Sequence, residues 1–161
     1  MKKWLKLAGY ALLAVFIVVQ FFRPERSNPP IDSQRTLQAH VQVPANVEAL
    51  LQRACQDCHT HNTNWPWYSN VSPVSWFVAE HVHDGRRHLN FSDWAKYDAK
   101  RADHKMEEIV EVLEARAMPL PSYLPLHSHA KLSDEDIRVL VEWAKAERAK
   151  LNGAAQIETP E

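Results

Sequence analysis

Cys55-Gln56-Asp57-Cys58-His59 is the stretch on which the reading of this chain turns. It holds the only two cysteines in 161 residues, so neither has any other thiol to pair with. Two cysteines three positions apart can close a small disulfide, act as a redox dithiol, supply half of a zinc site or take a haem. His59 favours the last, because Cys-x-x-Cys-His is the attachment signature of c-type haem. Two thiols at this spacing near a helix end can each form a thioether with one haem vinyl group, and the adjacent imidazole then reaches the iron. A redox dithiol belongs beside a βαβ unit, and structural zinc would need two more ligands drawn from histidine alone.

The chain around the motif has helical periodicity. Val47, Leu50, Leu51, Ala54 and Cys58 share one face, with Asn46 placed to cap it, so both cysteines are expected at the C-terminal end of a first helix. Residues 60–72 carry the breakers of a loop. Ser72-Pro73 opens a second helix through Trp76, Phe77, Val78 and Val82, with Gly85 as its terminator. Ser92-Asp93-Trp94 predicts a short third helix, and Met106, Ile109, Val110 and Leu113 mark a fourth that ends before Pro119. Residues 118–132 contain three prolines and must be irregular. Ser133 and Asp136 have the spacing of a capping box. Ile137, Leu140, Val141 and Ala144 then predict a last helix to about Leu151, leaving 152–161 as a frayed tail. No segment alternates with period two and no repeat recurs, so the fold class is all-α.

The second ligand of a haem iron is normally Met or His. Met1 is the initiator and Met106 lies on an apolar helical face. Met118 stands in Met118-Pro119-Leu120-Pro121-Ser122-Tyr123, where the proline rings fix the backbone and let a thioether be presented at low ordering cost. His59 and Met118 are therefore the expected iron ligands. His81 and His83 are the main competitors, with His127 and His129 near enough to the Met118 loop to remain candidates. Trp65, Trp67, Tyr68, Trp76 and Tyr123 are expected to line the cofactor pocket, and read equally well as small-domain core. Arg86, Arg87 and His88 read first as a solvated basic patch and second as partners for haem propionates.

Lys2, Lys3 and Lys6 precede an apolar run from Leu7 to Phe22, and no small-x-small cleavage site follows it. This pattern favours an uncleaved membrane anchor over 1–23, rather than a signal sequence, with the amino terminus in the cytoplasm and the remainder exported. Residues 24–44 are polar and Pro-rich and suit a semi-extended tether. The globular part is then 45–151. A formal net charge of −1 gives no nucleic-acid footprint.

Several ordered motifs resemble the haem-binding domain family of small bacterial monohaem proteins. They are the Cys-x-x-Cys-His pentapeptide, Trp65-Pro66-Trp67-Tyr68-Ser69, Pro73-Val74-Ser75-Trp76, and His81-Val82 with Gly85-Arg86. Leu89-Asn90-Phe91-Ser92-Asp93-Trp94, Met118-Pro119-Leu120-Pro121-Ser122-Tyr123 and Ala130-Lys131-Leu132-Ser133 continue the match, which covers roughly residues 45–145. The resemblance implies a cytochrome c-like helical domain around one covalent haem, with Cys55 and Cys58 as attachment points, His59 as proximal ligand and Met118 in the distal place. Together these readings predict a membrane-anchored monohaem c-type cytochrome that passes single electrons to redox partner proteins. It would be a single-pass protein of the cytoplasmic membrane with its haem domain facing the periplasm or exterior. The alternatives are a haem-based sensor or gas-binding module and a peroxidase-like haem protein; an electron carrier rather than an enzyme is expected.

Overall fold

A computed structural model describes the backbone of residues 1–157 and the side chains of residues 1–153. Among them are seven α-helices and no strand: α1 (Lys2–Val19), α2 (Leu37–His40), α3 (Ala45–Ala54), α4 (Gln56–His59), α5 (Val74–His88), α6 (Ala99–Glu114) and α7 (Asp134–Ile157). Four short 3-10 turns join them.

The core lies where α6 and α7 pack against each other and against α3. Met106, Ile109, Val110 and Leu113 of α6 meet Leu140, Val141 and Ala144 of α7, all buried. Met106 and Leu140 are shielded from water completely or nearly so, each contributing about 1.5–3 kcal/mol by leaving it. Asp98 caps α6 by accepting from the Arg101 N–H at 2.8 Å. Ser133 and Asp136 form the expected reciprocal box at the start of α7: Ser133 N–H donates to Asp136 Oδ2, and Asp136 N–H to Ser133 Oγ. Those bonds, with Arg53 beside it, hold the Asp136 carboxyl below the usual carboxylate range. α7 runs six residues past the expected end at Leu151, and only 158–161 of the expected tail lie outside the described residues.

Three local expectations need correction. α3 starts at Ala45 behind Pro44, so Asn46 sits inside its first turn and caps nothing. The cysteines are not on one continuous helix: α3 stops at Ala54, Cys55 leaves helical geometry at φ −123°, and α4 is a separate turn. Gly85 does not terminate α5, which continues to His88.

Residues 24–44 are not a free tether. Asn28 donates to Thr63 O and accepts from Trp65 Nε1–H, and Arg26 donates to Ser69 Oγ. Further on, Leu37 of α2 is fully buried and Val41 nearly so, both within the main core. The reason is non-local: polar side chains of this segment find partners far along the chain, mostly other side chains, and two apolar residues anchor its end.

α1 buries none of its side chains. Its apolar stretch starts only after Lys6, and no helix among the described residues is long and apolar enough to cross a membrane. The expected single-pass helix is thus present as a helix, without the length of an ordinary span.

Candidate functional site

A cavity of about 620 Å³ opens between α3–α5 on one side and α6 with the segment after it on the other. That is the size range of small-molecule and cofactor sites. Most of its wall is apolar, supplied by Leu51, Leu89, Phe91, Ile109, Val112 and Leu113. None of these was singled out as a site residue from the sequence, where Leu51, Ile109 and Leu113 read as apolar helical faces and Leu89 and Phe91 belonged to a motif of the resemblance. Cys55, Cys58 and His59 line it, as do Met118 and Tyr123.

The orientation of His59 follows from its partners. Nδ1 lies 3.1 Å from Gly85 O and 3.0 Å from Leu89 O. Carbonyl oxygens only accept, so Nδ1 carries the proton and Nε2 keeps its lone pair. Burial lowers the His59 pKa, against the opposing pull of those two carbonyls, so the ring stays neutral. A neutral imidazole fixed by a backbone hydrogen bond on its other nitrogen is the form that ligates a metal.

Cys55 and Cys58 are free thiols. Burial pushes Cys55 up to about 12, with Cys58 adding to the rise. Burial likewise pushes Cys58 up to about 11, with Asp57 adding and Arg86 opposing. Both are protonated at neutral pH, which does not suit a redox dithiol, whose attacking sulfur needs a depressed pKa. No group of three or more His, Cys, Asp or Glu among the described residues is placed to hold a metal ion, so a zinc site built on the two thiols finds no completion.

Gly85 explains how the motif is held. A Cβ built there would stand 2.5 Å from Cys58 O and 3.0 Å from Cys58 Cβ. α5 therefore approaches α4 as closely as backbones allow, and only glycine fits at the crossing. An interior helical glycine costs about 1 kcal/mol against alanine, and this close approach is its packing reason.

Arg86 is neither a solvated residue nor free for propionates. Its guanidinium donates to Thr60 O, Ser27 O, Asn28 Oδ1 and Thr63 Oγ1 at 2.8–2.9 Å. It thereby ties α5, the loop after the motif and residues 27–28 into one unit. Arg87 pairs with Asp84 at the surface, and His88 lines the cavity.

Met118 is aimed by the end of α6. The helix closes with Arg116 N–H donating to Leu113 O and Ala117 N–H to Val112 O, a Schellman cap. Its left-handed position is Arg116, at φ 53°. The segment then returns to the motif: Tyr123 O–H donates to Asp57 Oδ2 at 2.6 Å. Burial, then that bond to Asp57, raises the Tyr123 pKa.

The other expected lining residues stand elsewhere. Trp65 bonds to Asn28, Trp76 Nε1–H donates to Phe22 O, Trp67 is largely exposed, and Tyr68 meets His127. None of the four borders the cavity. Of the competing histidines, His81 does border it; its Nδ1 lies 2.8 Å from Phe77 O, which again leaves Nε2 bare. His83, His127 and His129 do not line the cavity.

The residues present fit a haem. One wall offers two half-buried thiols and a bare imidazole nitrogen, another a thioether sulfur, and the space between them is predominantly apolar. The comparisons with known proteins agree with that fit. A family described as a haem-binding domain matches residues 14–146, starting well ahead of the motifs at 45–145 and including the segment expected to be a tether. No curated protein and no solved structure matches.

Proposed function

The chain belongs to the haem-binding domain family, and from that premise we propose that it is a monohaem c-type cytochrome that carries single electrons at a membrane. The observation that carries this reading is His59, with Nδ1–H held by Gly85 and Leu89 carbonyls beside two half-buried thiols. When bound, the haem iron supplies a one-electron couple. Cys55 and Cys58 would each hold the group through a thioether, the S–H adding across one vinyl group with no atom lost. His59 Nε2 and Met118 would be the protein groups that ligate its iron, and with both engaged no coordination site would remain for a substrate. Leu51, Phe91, Ile109 and Leu113 exclude water, which with the thioether ligand favours the reduced state.

α1 is proposed as the anchor. The helical apolar stretch from Leu7 to Val19 is 13 residues, about 20 Å at 1.5 Å per residue, against a hydrocarbon core of ~30 Å. Lys2, Lys3 and Lys6 can extend to the cytoplasmic headgroups and the bilayer can thin to meet a short span. The haem domain then lies on the periplasmic or outer side, where covalent attachment retains a cofactor that is hard to replace.

Haem stain remaining on the polypeptide after acid–acetone extraction and denaturing electrophoresis, with a pyridine haemochrome of the c type, is the expected result. Stain leaving the band would overturn covalent attachment. Carbon monoxide binding readily to the reduced protein would replace the electron carrier with a gas-binding or peroxidase-like haem protein.

A further inference from the structure

The carboxy-terminal end of α1 is not followed by a spacer. Gln20 Nε2–H donates to Ser72 O, and Ser72 N–H donates back to Gln20 Oε1, both at 2.9 Å. Trp76 Nε1–H donates to Phe22 O, and Arg26 donates to Ser69 Oγ. Four bonds therefore fasten residues 20–26 to the 3-10 turn Trp67–Asn70, to Ser72 after it and to the first turn of α5.

That same end of the domain is where its exposed apolar side chains gather. Phe21 is 82% exposed and Trp67 78%, and Phe22, Val74, Trp76 and Phe77 are also exposed. Beyond α1, the only other large apolar residues exposed among the described residues are Ile31 and Leu126. Singly exposed apolar residues are ordinary, but a concentration at one end marks a contact surface. Its composition is aromatic, with Arg23 and Arg26 adjoining, which is the chemistry of a bilayer's interfacial belt.

We propose that this end of the domain is a lipid-contacting face, with Phe21, Phe22, Trp67, Val74, Trp76 and Phe77 seated at the headgroup–acyl boundary. The inference rests on the reading of α1 as an anchor and extends it. An apolar segment too short for a full span, clamped directly to the domain, draws that face down to the membrane surface. The haem cavity is then held at one height and orientation above the bilayer, and a redox partner must meet it there.

The test uses the full chain in phosphatidylcholine–phosphatidylglycerol vesicles, with nitroxide spin labels on Leu12→Cys, Trp67→Cys, Phe77→Cys and, as a remote surface position, Arg138→Cys. Wild-type chain labelled in parallel gives the background from Cys55 and Cys58. Far-ultraviolet circular dichroism checks that each variant is folded, with Val74→Cys replacing Phe77→Cys if that one is not. The readout is the ratio of collisions with oxygen to collisions with a polar nickel chelate, which rises with depth in lipid. Positions 67 and 77 should give ratios several-fold above position 138, with position 12 higher still. A high ratio at 12 with aqueous ratios at 67 and 77 overturns the lipid-facing surface while the anchor stands. Aqueous ratios at 12 with high ratios at 67 and 77 overturn the anchor alone, leaving a surface that binds lipid by itself. Aqueous ratios at all three overturn both. Exclusion of both reagents at 67 and 77 would put protein, not lipid, on the face and overturn the proposal.

Discussion

On the wall of the cavity that carries Cys55, Cys58 and His59, position is set by backbone. Gly85 lets α5 touch α4, two carbonyls orient the imidazole, and Arg86 binds carbonyls from two further segments. The wall that carries Met118 is held by a helix cap and by side chains: Tyr123 O–H on Asp57, and His127, which stacks on Tyr123, bonds its carbonyl and meets Tyr68. Backbone contacts have no rotamer to change, whereas a loop and a hydroxyl have several. The first wall should therefore fail abruptly when altered and the second should give gradually. Under the proposed function, a firmly held His59 beside a more adjustable Met118 would suit a redox centre, since the axial ligand is a principal determinant of potential.

The sharpest break of that contrast is Gly85→Ala. The added methyl cannot fit 2.5 Å from Cys58 O, so α5 must move away and take both carbonyls with it. Expected are a loss of about 1–3 kcal/mol of stability, as for overpacking elsewhere, and a large fall in covalent haem per chain. Gly153→Ala is the internal control, because nothing lies within 4 Å of its Cβ and α7 should gain slightly. Equal haem content and melting in the two variants would show that the close approach is dispensable.

Arg86→Met should come next, at about 2–3 kcal/mol in a denaturant titration, for losing charged hydrogen bonds and leaving part-buried carbonyls bare. Arg86→Lys should recover less than half, because an ammonium cannot reproduce the planar fork that reaches Thr60, Ser27, Asn28 and Thr63 together. Full rescue by lysine would mean that charge alone matters and that the clamp is not geometric.

On the other wall, Met118→Ala should cost little stability, since the residue is only half-buried in a loop, and should leave the haem attached. Its effect belongs to the iron. The potential should fall by a measurable fraction of the ~0.8 V that axial ligands span, and reduced protein should take up carbon monoxide. An unchanged potential would transfer the ligand to His81, the one competing histidine that borders the cavity with a free Nε2. Comparing Met118→Ala with the Met118→Ala/His81→Phe double variant would then decide.

What could be read from the residues alone was local. The Cys-x-x-Cys-His motif, the apolar faces of α3, α6 and α7, and the box of Ser133 and Asp136 are patterns completed within a few positions, whereas of the apolar run expected to mark α5 only Val82 is buried. What escaped was non-local and polar. The partners of Asn28 lie 35 to 58 residues away, so nothing in 24–44 advertised packing. Tryptophans suggested a pocket because large rings usually seek one, yet Trp65 and Trp76 use their N–H groups on the segment leaving α1. Gly85 was misread because a glycine near a helix end looks the same whether it stops the helix or admits a neighbour. Only the presence of α4 beside it tells the two apart.

The smallest effect tests the cap that aims Met118. Arg116 occupies the left-handed position of the Schellman motif at φ 53°, where a side chain costs about 1–2 kcal/mol and glycine costs nothing. Arg116 also pairs with Asp134 across the surface, a contact of small value between two exposed groups. Comparing Arg116→Gly with wild type would mix strain relief, a lost ion pair and the greater unfolded-state freedom of glycine. Comparing Arg116→Gly with Arg116→Ala removes the ion pair from the difference, leaving strain relief of about 1–2 kcal/mol against an entropy cost of about 0.4–1 kcal/mol. Glycine should therefore be the more stable of the two by about 1 kcal/mol, a melting difference of a few degrees for a chain of this size. Both variants should keep the wild-type potential if the cap's hydrogen bonds to Val112 and Leu113 alone direct the segment. Equal melting temperatures would show that the turn relaxes out of the left-handed region. A shift of potential in the glycine variant alone would show that the strained arginine helps hold Met118 in place, making this wall stiffer than its side-chain contacts suggest.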